Sequence, residues 1–381
     1  LSAGGTIICA HYIGGKNREQ ANKSAGQVLF IVTLLSTILM LICLAGNEAL
    51  LRLIFGQVDD EVMEASKIYF FYTALSFPFI GIYDSGASIF RAQGNTRCPM
   101  AISVISNIMN VCGNAILIWG FDMGIAGAAI ATLASRIFCA IAVMIFLRSG
   151  ENVICVRNYL KIRPDLRQIK KILKIGVPSG IENSMFQFGK LAIQSTEPTL
   201  GTAAIAAQAM TNILENLNGI AAMGVGIGLM TIVGQCMGAG RKDEAVYFIK
   251  KVTLIAEVVV IISCLVVFAA AVPVTMLGGM EEESASMCIY MITWITIVKP
   301  IVWTLAFIPA YGMRGAGDVR FSMVLSCLSM WFCRVVLCIV LIRIFHFGPI
   351  GVWIGMFADW TIRAVLFTVR FFSGKWAGIK V

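Results

Sequence analysis

Charge is the scarcest property of this sequence of 381 residues. Only 13% of the residues are charged, whereas 58% are hydrophobic. Soluble domains carry about 25% charged residues, so this composition excludes an ordinary soluble protein. A formal net charge of +9 would suggest a nucleic-acid partner in a soluble chain. Here the basic residues lie in short loops between apolar runs, which indicates membrane orientation and no nucleic-acid partner.

Residues that hold metals or form nucleophiles are also poorly represented. The two histidines, His11 and His346, lie far apart, and the 12 cysteines include no Cys-x-x-Cys pair. Most cysteines fall within apolar runs, where they pack as small hydrophobic side chains. The sequence has no Ser-His-Asp, His-Glu-x-x-His or clustered acidic motif. We therefore expect no enzyme activity, no cofactor and no metal beyond a coupling Na⁺.

Long apolar runs are abundant instead. A helix needs about 20 apolar residues to cross a hydrocarbon layer of about 30 Å. The runs show no alternation of period two, which argues against a transmembrane barrel. They predict an all-α integral membrane protein in a lipid bilayer, with eleven spans at residues 1–14, 25–46, 67–90, 98–119, 124–147, 175–197, 203–234, 245–272, 286–312, 321–343 and 350–372.

The sign of the loop charges alternates from one loop to the next. Loops on one side are basic, as shown by Lys16, Arg18, Lys23, Arg91, Arg97, Arg241, Lys242, Arg314 and Arg320. Loops on the other side are acidic, as shown by Asp59, Asp60, Glu61, Asp122, Glu281, Glu282 and Glu283. The basic side is cytoplasmic by the positive-inside rule. The basic segment 148–174 is then a cytoplasmic linker between an N-terminal lobe, 1–147, and a C-terminal lobe, 175–381.

Three motifs recur at a nearly constant distance along the chain. Residues 11–21 match 235–245, and Arg91-Ala-Gln-Gly-Asn-Thr-Arg97 matches Arg314-Gly-Ala-Gly-Asp-Val-Arg320. Glycines and small residues after Gly124 match those after Gly348. One offset of 223–224 residues for all three, in the same order, indicates duplication.

The offset also predicts the architecture of the whole protein. The span that begins near residue 175 has no partner in this sequence, so we expect one further helix before Leu1. Twelve helices would form two repeats of six. Because six is even, both repeats insert the same way up. Such parallel repeats place a substrate cavity between the halves near the middle of the membrane.

Four passages of the sequence resemble one transporter family. They are Gly-Gly-Lys-Asn-Arg-Glu (14–19), Phe-Arg-Ala-Gln-Gly-Asn-Thr-Arg (90–97), Gly-Val-Pro-Ser-Gly (176–180) and Met-Arg-Gly-Ala-Gly-Asp (313–318). Together they resemble the multidrug and toxic-compound extrusion (MATE) family over essentially the whole chain. The resemblance implies a twelve-helix exporter that exchanges Na⁺ or H⁺ for small organic compounds, often cationic, by alternating access. We expect a monomer in the plasma (inner) membrane, with both termini cytoplasmic in the full-length protein.

The acidic residues depart from the family pattern. Some family members carry an acid in the first helix, which this sequence lacks. Others carry one in the tenth helix, where this sequence has Trp303, with Lys299 nearby. In the seventh helix the acid is Glu182, earlier than the usual place near 185–187. The coupling site therefore has to be sought among this chain's own residues.

Polar stripes mark two helices as candidates. An ionisable group in hydrocarbon normally faces a cavity or a partner. Residues at i, i+4, i+7 and i+11 lie on one face of a helix. One such stripe is Asn183, Gln187, Lys190 and Gln194. The next helix repeats the spacing with Gln208, Asn212, Glu215 and Gly219. If the two helices form a hairpin near residue 200, Lys190 and Glu215 lie at similar depth. We predict that the stripes line the cavity, with Glu182 and Glu215 as cation or proton sites; hydrogen bonding between helices is the alternative.

Candidates in the first half are fewer. Asp84 is the acid within a first-half span and is a third coupling candidate. Asn107 and Asn110 share a face of the fifth helix and either line the cavity or pack against a neighbour. Two further pairings are expected, Arg334 with Asp359 and Arg314 with Asp318 or lipid phosphate.

Three functions compete at this point. An ion-coupled exporter of cationic or amphipathic compounds suits acidic groups in a cavity. A flippase for a lipid-linked saccharide would need a strongly basic cavity, usually with several arginines to hold pyrophosphate. The seventh and eighth helices hold one lysine and two glutamates, which favours the exporter. A membrane enzyme is the third possibility, and no motif supports it.

Overall fold

The computed structural model describes residues 2–56, 59–150, 152–157, 159, 162–196 and 200–379, and these residues form helices and no strand. The α-helices are α1 (Ser2–Gly14), α2 (Arg18–Ala45), α3 (Asn47–Phe55), α4 (Asp60–Leu75), α5 (Phe77–Ala92), α6 (Arg97–Ala115), α7 (Gly124–Leu147), α8 (Leu166–Gln194), α9 (Thr202–Gly238), α10 (Lys242–Leu277), α11 (Glu282–Gly315), α12 (Val319–Leu328), α13 (Leu337–Arg343) and α14 (Ile350–Phe372). Two π-helical segments, Ile116–Gly120 and Ser329–Val336, extend α6 and join α12 to α13, and a 3₁₀ turn, Lys375–Gly378, follows α14.

The chain forms two compact units, residues 1–176 and 177–381. Each unit has its own apolar core. Phe90, Val143 and Leu147 lie in the core of the first unit. Trp303 and Trp353 lie in the core of the second. Within the described residues, eight helical stretches are long and apolar enough to cross a membrane, so the predicted all-α membrane fold is confirmed.

The other three predicted spans differ for local reasons. The first is only 13 residues long in the part described, and α8 carries many polar side chains. The predicted span 67–90 is divided into two helices, α4 and α5, which meet at Ser76. Pro78 has no N–H to donate and fits the first turn of a new helix, so the chain restarts there. The irregular part of the linker is shorter than predicted, because α8 begins at Leu166.

The duplication is visible in the backbone of the two units. Asp122 (φ 52°) and His346 (φ 54°) are 224 residues apart, and both adopt the left-handed conformation that non-glycine residues rarely adopt. Other residues with positive φ occur at offsets of 223–224 residues, in the pairs Lys16 and Gly240, Gly56 and Gly279, Gly94 and Gly317, and Gly124 and Gly348. Sharp turns therefore recur at matching places in both units.

The segment after α7 closes the end of that helix. The last four carbonyl groups of a helix have no partner within it. Three of them accept from residues 152–159: Tyr159 Oη donates to Met144 O, Asn152 Nδ2 to Phe146 O at 2.8 Å, and Val156 N to Leu147 O at 3.1 Å. Burial raises the pKa of Tyr159 to about 12. These bonds hold the linker to the first unit.

The same segment is tied to α2. Gln27 Nε2 donates to Arg163 O at 2.7 Å, and Gln27 Oε1 accepts from Asp165 N at 3.0 Å. Lys23 Nζ lies 2.5 Å from Asp165 Oδ2, and this hydrogen-bonded ion pair lowers the pKa of the Asp165 carboxyl. The path of the chain into α8 is thus fixed by polar contacts at the end of α2.

Candidate functional site

A polar cavity of about 250 Å³ lies inside the second unit. Helices α8, α9 and α14 and the π-helical segment Ser329–Val336 form its walls. The lining residues are Lys190, Ile193, Gln194, Gln208, Asn212, Glu215, Asn216, Arg334, Val352 and Met356. Apolar and charged side chains thus line one partly open cavity, the usual composition of a small-molecule site.

The two polar stripes converge only in part. Lys190 and Gln194 from α8 face the same cavity as Gln208, Asn212 and Glu215 from α9. Lys190 and Glu215 therefore line the same cavity. Gln208 is buried and its Oε1 accepts a hydrogen bond from Trp353 Nε1 at 3.0 Å.

The earlier turns of α8 point elsewhere. Asn183 and Gln187 are exposed and are not among the described side chains of the cavity wall. Asn183 Nδ2 donates to Ser179 O at 2.8 Å, one turn back on its own helix. The α8 stripe thus contributes its C-terminal part to the cavity.

Glu215 is engaged in a buried ion pair. Lys299 Nζ lies 2.8 Å from Glu215 Oε1 and 3.4 Å from the Glu215 carbonyl oxygen. Lys299 is fully buried, and its Nζ is 5.2 Å from the centre of the Trp303 ring. A buried ammonium group requires such a partner because its desolvation is costly. Glu215 is therefore a carboxylate at the cavity wall whose charge is balanced by Lys299.

Glu182 also has a cationic partner. Arg314 Nη2 lies 2.5 Å from Glu182 Oε1, and Arg314 Nε donates to Ser322 Oγ at 2.7 Å. The predicted pairing of Arg314 with Asp318 is wrong. Asp318 accepts from Arg370 Nε at 2.8 Å, because the turn after α11 directs it towards the end of α14.

The predicted pairing of Arg334 with Asp359 is also wrong. Asp359 Oδ1 accepts from Arg363 Nε at 2.7 Å and from the hydroxyl of Ser329. Residues at i and i+4 are neighbours on a helix face, so Arg363 lies next to Asp359 on α14. Both side chains are buried. Arg334 is left to face the cavity.

Arg334, for which the sequence predicts a pairing with Asp359, lines the cavity instead. It is only 7% exposed, it forms no ion pair with a described residue, and its Nε has no hydrogen-bond partner there. Its guanidinium carbon is 5.4 Å from the centre of the Phe186 ring, and Lys190 Nζ is 4.9 Å from the same centre. An unpaired arginine inside a membrane helix costs at least about 2.5 kcal/mol on insertion scales.

The position of Arg334 depends on irregular backbone and on small residues. It lies within the π-helical segment, whose wider turn displaces side chains from the faces of a regular helix. A Cβ at Gly355 would lie 3.0 Å from the Arg334 carbonyl oxygen, and one at Gly189 would lie 3.0 Å from Met330 Cγ. Both neighbouring helices thus approach the segment closely, and Gly189 brings its neighbour Lys190 beside Arg334.

The first-unit candidates have different surroundings. Asp84 is exposed on α5 and forms no hydrogen bond or ion pair with another residue of the described part. Asn110 Nδ2 donates to Thr132 Oγ1 on α7 at 3.2 Å and Asn110 Oδ1 accepts from Asn114 at 3.3 Å, which is a packing contact between helices. Asn107 is exposed.

Membrane-length helices around a polar cavity, with a backbone repeated in two units, define the class: a polytopic helical transporter. The MatE family model matches residues 1–116 and 178–340. The chain therefore belongs to the MatE family, and the membership predicted from the four sequence passages is confirmed. Transport, rather than enzymatic activity, is what this family and the fold indicate.

Individual proteins support the same assignment. The chain is 25% identical to the probable multidrug resistance protein NorM of Thermotoga maritima, over 98% of this chain and 81% of the relative. It superposes with a TM-score of 0.87 on a crystal structure of MATE in complex with MaL6, at 19% identity, covering 98% of this chain and 84% of the other. A MOP superfamily transporter from Pyrococcus furiosus, described as having a binding pocket of reverse polarity, gives a TM-score of 0.86 at 19% identity, covering 98% and 83%.

Proposed function

We propose that this protein is a secondary active antiporter that exports small organic compounds across the plasma membrane by alternating access. The observation that carries the proposal is the polar cavity between helices of the second unit. The similarity to a protein named for multidrug resistance supports export. A saccharide flippase is not favoured, since the cavity wall contains a single arginine, Arg334, among its described residues.

The class of substrate has to be reconsidered from the ion pairs. The sequence predicts cationic compounds if Glu182 and Glu215 are free acidic groups. Glu215 and Glu182 are each bonded to a cation, Lys299 and Arg314. A carboxylate already paired in this way has less attraction for a cationic compound, because binding would have to compete with the existing partner. Small organic compounds therefore remain the proposed substrates, without a preference for positive charge.

Exchange of Na⁺ or H⁺ is assigned to Asp84. Of the three carboxylates considered, it is the one without a cationic partner among the described residues, whereas Glu182 and Glu215 would have to leave theirs. A carboxylate inside a membrane segment is costly when charged, so protonation or ion binding at Asp84 would be coupled to a change of its surroundings. In this proposal the side that carries the basic loops, including the loop of Arg91 and Arg97, faces the cytoplasm.

The test is transport by the purified protein in liposomes. Vesicles are loaded with either a fluorescent cation or a fluorescent sulfonate, and a Na⁺ gradient or a pH gradient is imposed separately. We expect one of the two gradients to accelerate movement of at least one compound. Absence of any gradient-driven movement of either compound, from protein that is folded and inserted, would contradict the antiporter proposal.

Variants of Asp84 test the coupling. In Asp84→Asn we expect the gradient dependence to be lost, with a decrease in transport of at least tenfold. Glu61→Gln, an exposed acid outside the candidate site, serves as the control and should transport normally. Unchanged coupling in Asp84→Asn would exclude Asp84 and return the question to Glu182 and Glu215.

A further inference from the structure

We propose that the cavity of the second unit binds the acidic head of a small amphipathic organic anion, with Arg334 and Lys190 as its two cationic contacts. This inference rests on the proposed export function, since it names the class of compound that the exporter takes. It is carried by a buried arginine that lines the cavity without an acidic partner among the described residues.

The acids nearest to Arg334 are already balanced. Glu215, the acid in the cavity wall, is paired with Lys299 at 2.8 Å. Asp359 is paired with Arg363 at 2.7 Å. Each of these acids is bonded to another cation, so neither forms an ion pair with the guanidinium of Arg334. The cavity is therefore left with an excess of positive charge, to which Lys190 contributes.

Arg334 and Lys190 are held together by one aromatic ring. Both cations lie on Phe186, at 5.4 Å and 4.9 Å from the ring centre. A cation–π contact compensates a buried cation less well than a carboxylate does. Two like charges on one ring also repel each other, and an anion between them would relieve that repulsion. A guanidinium group binds the two oxygens of a carboxylate or sulfonate with two parallel hydrogen bonds.

The rest of the cavity suits an apolar body attached to such a head. Ile193, Val352 and Met356 supply apolar wall, and Gln194 and Asn212 supply side-chain amides. The volume of about 250 Å³ is near the lower end of ordinary ligand pockets. We therefore expect a compound of one substituted ring with a single acidic group, rather than a large polycyclic compound.

The experiment measures binding of two probes of similar shape and opposite charge, p-toluenesulfonate and phenyltrimethylammonium. Equilibrium dialysis with the purified protein in neutral detergent micelles gives both affinities. We expect the sulfonate to bind at least tenfold more tightly than the ammonium compound. Arg334→Gln should weaken sulfonate binding at least tenfold, equivalent to about 1.4 kcal/mol, and should not weaken binding of the ammonium compound.

A matched control comes from another cation–π contact of the same unit. Lys251 Nζ lies 5.9 Å from the centre of the Tyr247 ring, outside the cavity, and is exposed. Lys251→Gln removes the same kind of charge from a ring and should leave both affinities unchanged. An equal loss in this variant and in Lys190→Gln would mean that only the net charge of the protein matters, and the site would be rejected.

A second variant keeps the test decisive if Arg334→Gln does not fold. Lys190 is exposed, so Lys190→Glu is expected to fold. It should reverse the preference, with the ammonium compound binding more tightly than the sulfonate. Tighter binding of the ammonium compound by the unaltered protein, or sulfonate binding that neither variant changes, would overturn the inference.

The anion could be a free organic compound or a lipid headgroup, and changing the lipid distinguishes the two. Binding is repeated in nanodiscs of phosphatidylcholine and of phosphatidylglycerol. Equal sulfonate affinity in both supports a free organic anion. If phosphatidylglycerol displaces the sulfonate and Arg334→Gln removes that effect, the site belongs to a lipid headgroup and its role in substrate choice is overturned. Because binding is measured without transport, sulfonate binding without gradient-driven export would refute the antiporter and leave the anion site standing.

Discussion

The two units share a backbone pattern and differ in what their interiors hold. The buried Lys299, Asp359 and Arg363 of the second unit correspond, at offsets of 223–224, to Ser76, Ser135 and Cys139 of the first. One hydrogen bond recurs nevertheless. Ser106 Oγ donates to the Ser135 carbonyl oxygen at 3.2 Å, and in the second unit Ser329 Oγ lies 3.4 Å from the Asp359 carbonyl oxygen.

The difference shows that this helix packing does not require internal charge. The first unit makes the same contact between corresponding helices with neutral side chains. Replacing a buried ion pair by neutral groups is often harmless or stabilising, so such a pair is weak evidence for stability. In the second unit Glu215, the partner of Lys299, and Arg334 line the cavity. The charges at the cavity wall are therefore compatible with the proposed ligand binding.

The largest effect should come from splitting the most deeply buried pair. In Arg363→Cys, which introduces the residue of the first unit, Asp359 would keep a buried charge without a partner. We expect a loss of about 3–5 kcal/mol in the free energy of unfolding, measured by steric trapping in bicelles. The double variant Asp359→Ser with Arg363→Cys copies the first unit and should recover most of that loss. A double variant as unstable as the single one would show that the two interiors are not interchangeable.

A smaller effect is expected at the cavity wall. Lys299→Ser, again the residue of the first unit, removes the partner of Glu215, whose side chain is 16% exposed. Because the cavity can partly hydrate that carboxylate, we expect a loss of only about 1–3 kcal/mol. The freed carboxylate should also improve binding of phenyltrimethylammonium by about tenfold. Lys299→Ser with Glu215→Gln is the control and should abolish the gain. No gain in the single variant would mean that Lys299 does not neutralise Glu215.

The smallest effect concerns how the last helix of each unit ends. Leu147 ends α7, and Phe371, 224 residues later, is the last residue but one of α14. The following segment donates to both carbonyl groups, through Val156 N and through Trp376 Nε1 at 3.0 Å. Only the first unit adds a tyrosine, Tyr159, which donates to the Met144 carbonyl oxygen. Tyr159→Phe should therefore cost about 0.5–1.5 kcal/mol, measured by thermal unfolding.

The pH dependence of this contact has a definite sign. The pKa of Tyr159 is raised from 10.0 to about 12 in the folded protein, so its contribution is complete below pH 10 and is lost as the pH rises through about 12. The advantage of the unaltered protein over Tyr159→Phe should shrink across that interval. A difference that stays constant to pH 12 would contradict the assigned hydrogen bond.

Much of the fold could be predicted because it follows from local composition. Apolar runs predict membrane helices wherever they are long, and recurring glycines predict recurring turns, as Gly94 and Gly317 show. The break at Ser76 was missed because a proline inside an apolar run either kinks a helix or starts a new one. In α11, Pro300 and Pro309 lie inside one continuous helix, so proline alone does not decide between the two.

Less of the candidate site could be predicted, because charge pairing depends on distance in space. Polar periodicity pointed to Lys190, Gln208, Asn212 and Glu215, which the structure places around one cavity. It could not assign partners to Glu182 or Glu215, since Arg314 and Lys299 come from a helix about a hundred residues later. Sequence spacing predicts which side chains are neighbours only within one helix.

Hydrophobic runs, loop charges and glycine motifs are properties of the chain itself, so they were enough to predict a helical membrane protein of two repeats that resembles the MATE family. The pairing of charges, by contrast, depends on the tertiary structure. The π-helical turn and the close approach at Gly355 leave Arg334 facing the cavity without an acid, while Arg363 takes Asp359. The physical reason is that an ion pair forms over a few ångströms, and that distance is set by helix packing and backbone irregularity rather than by position in the sequence.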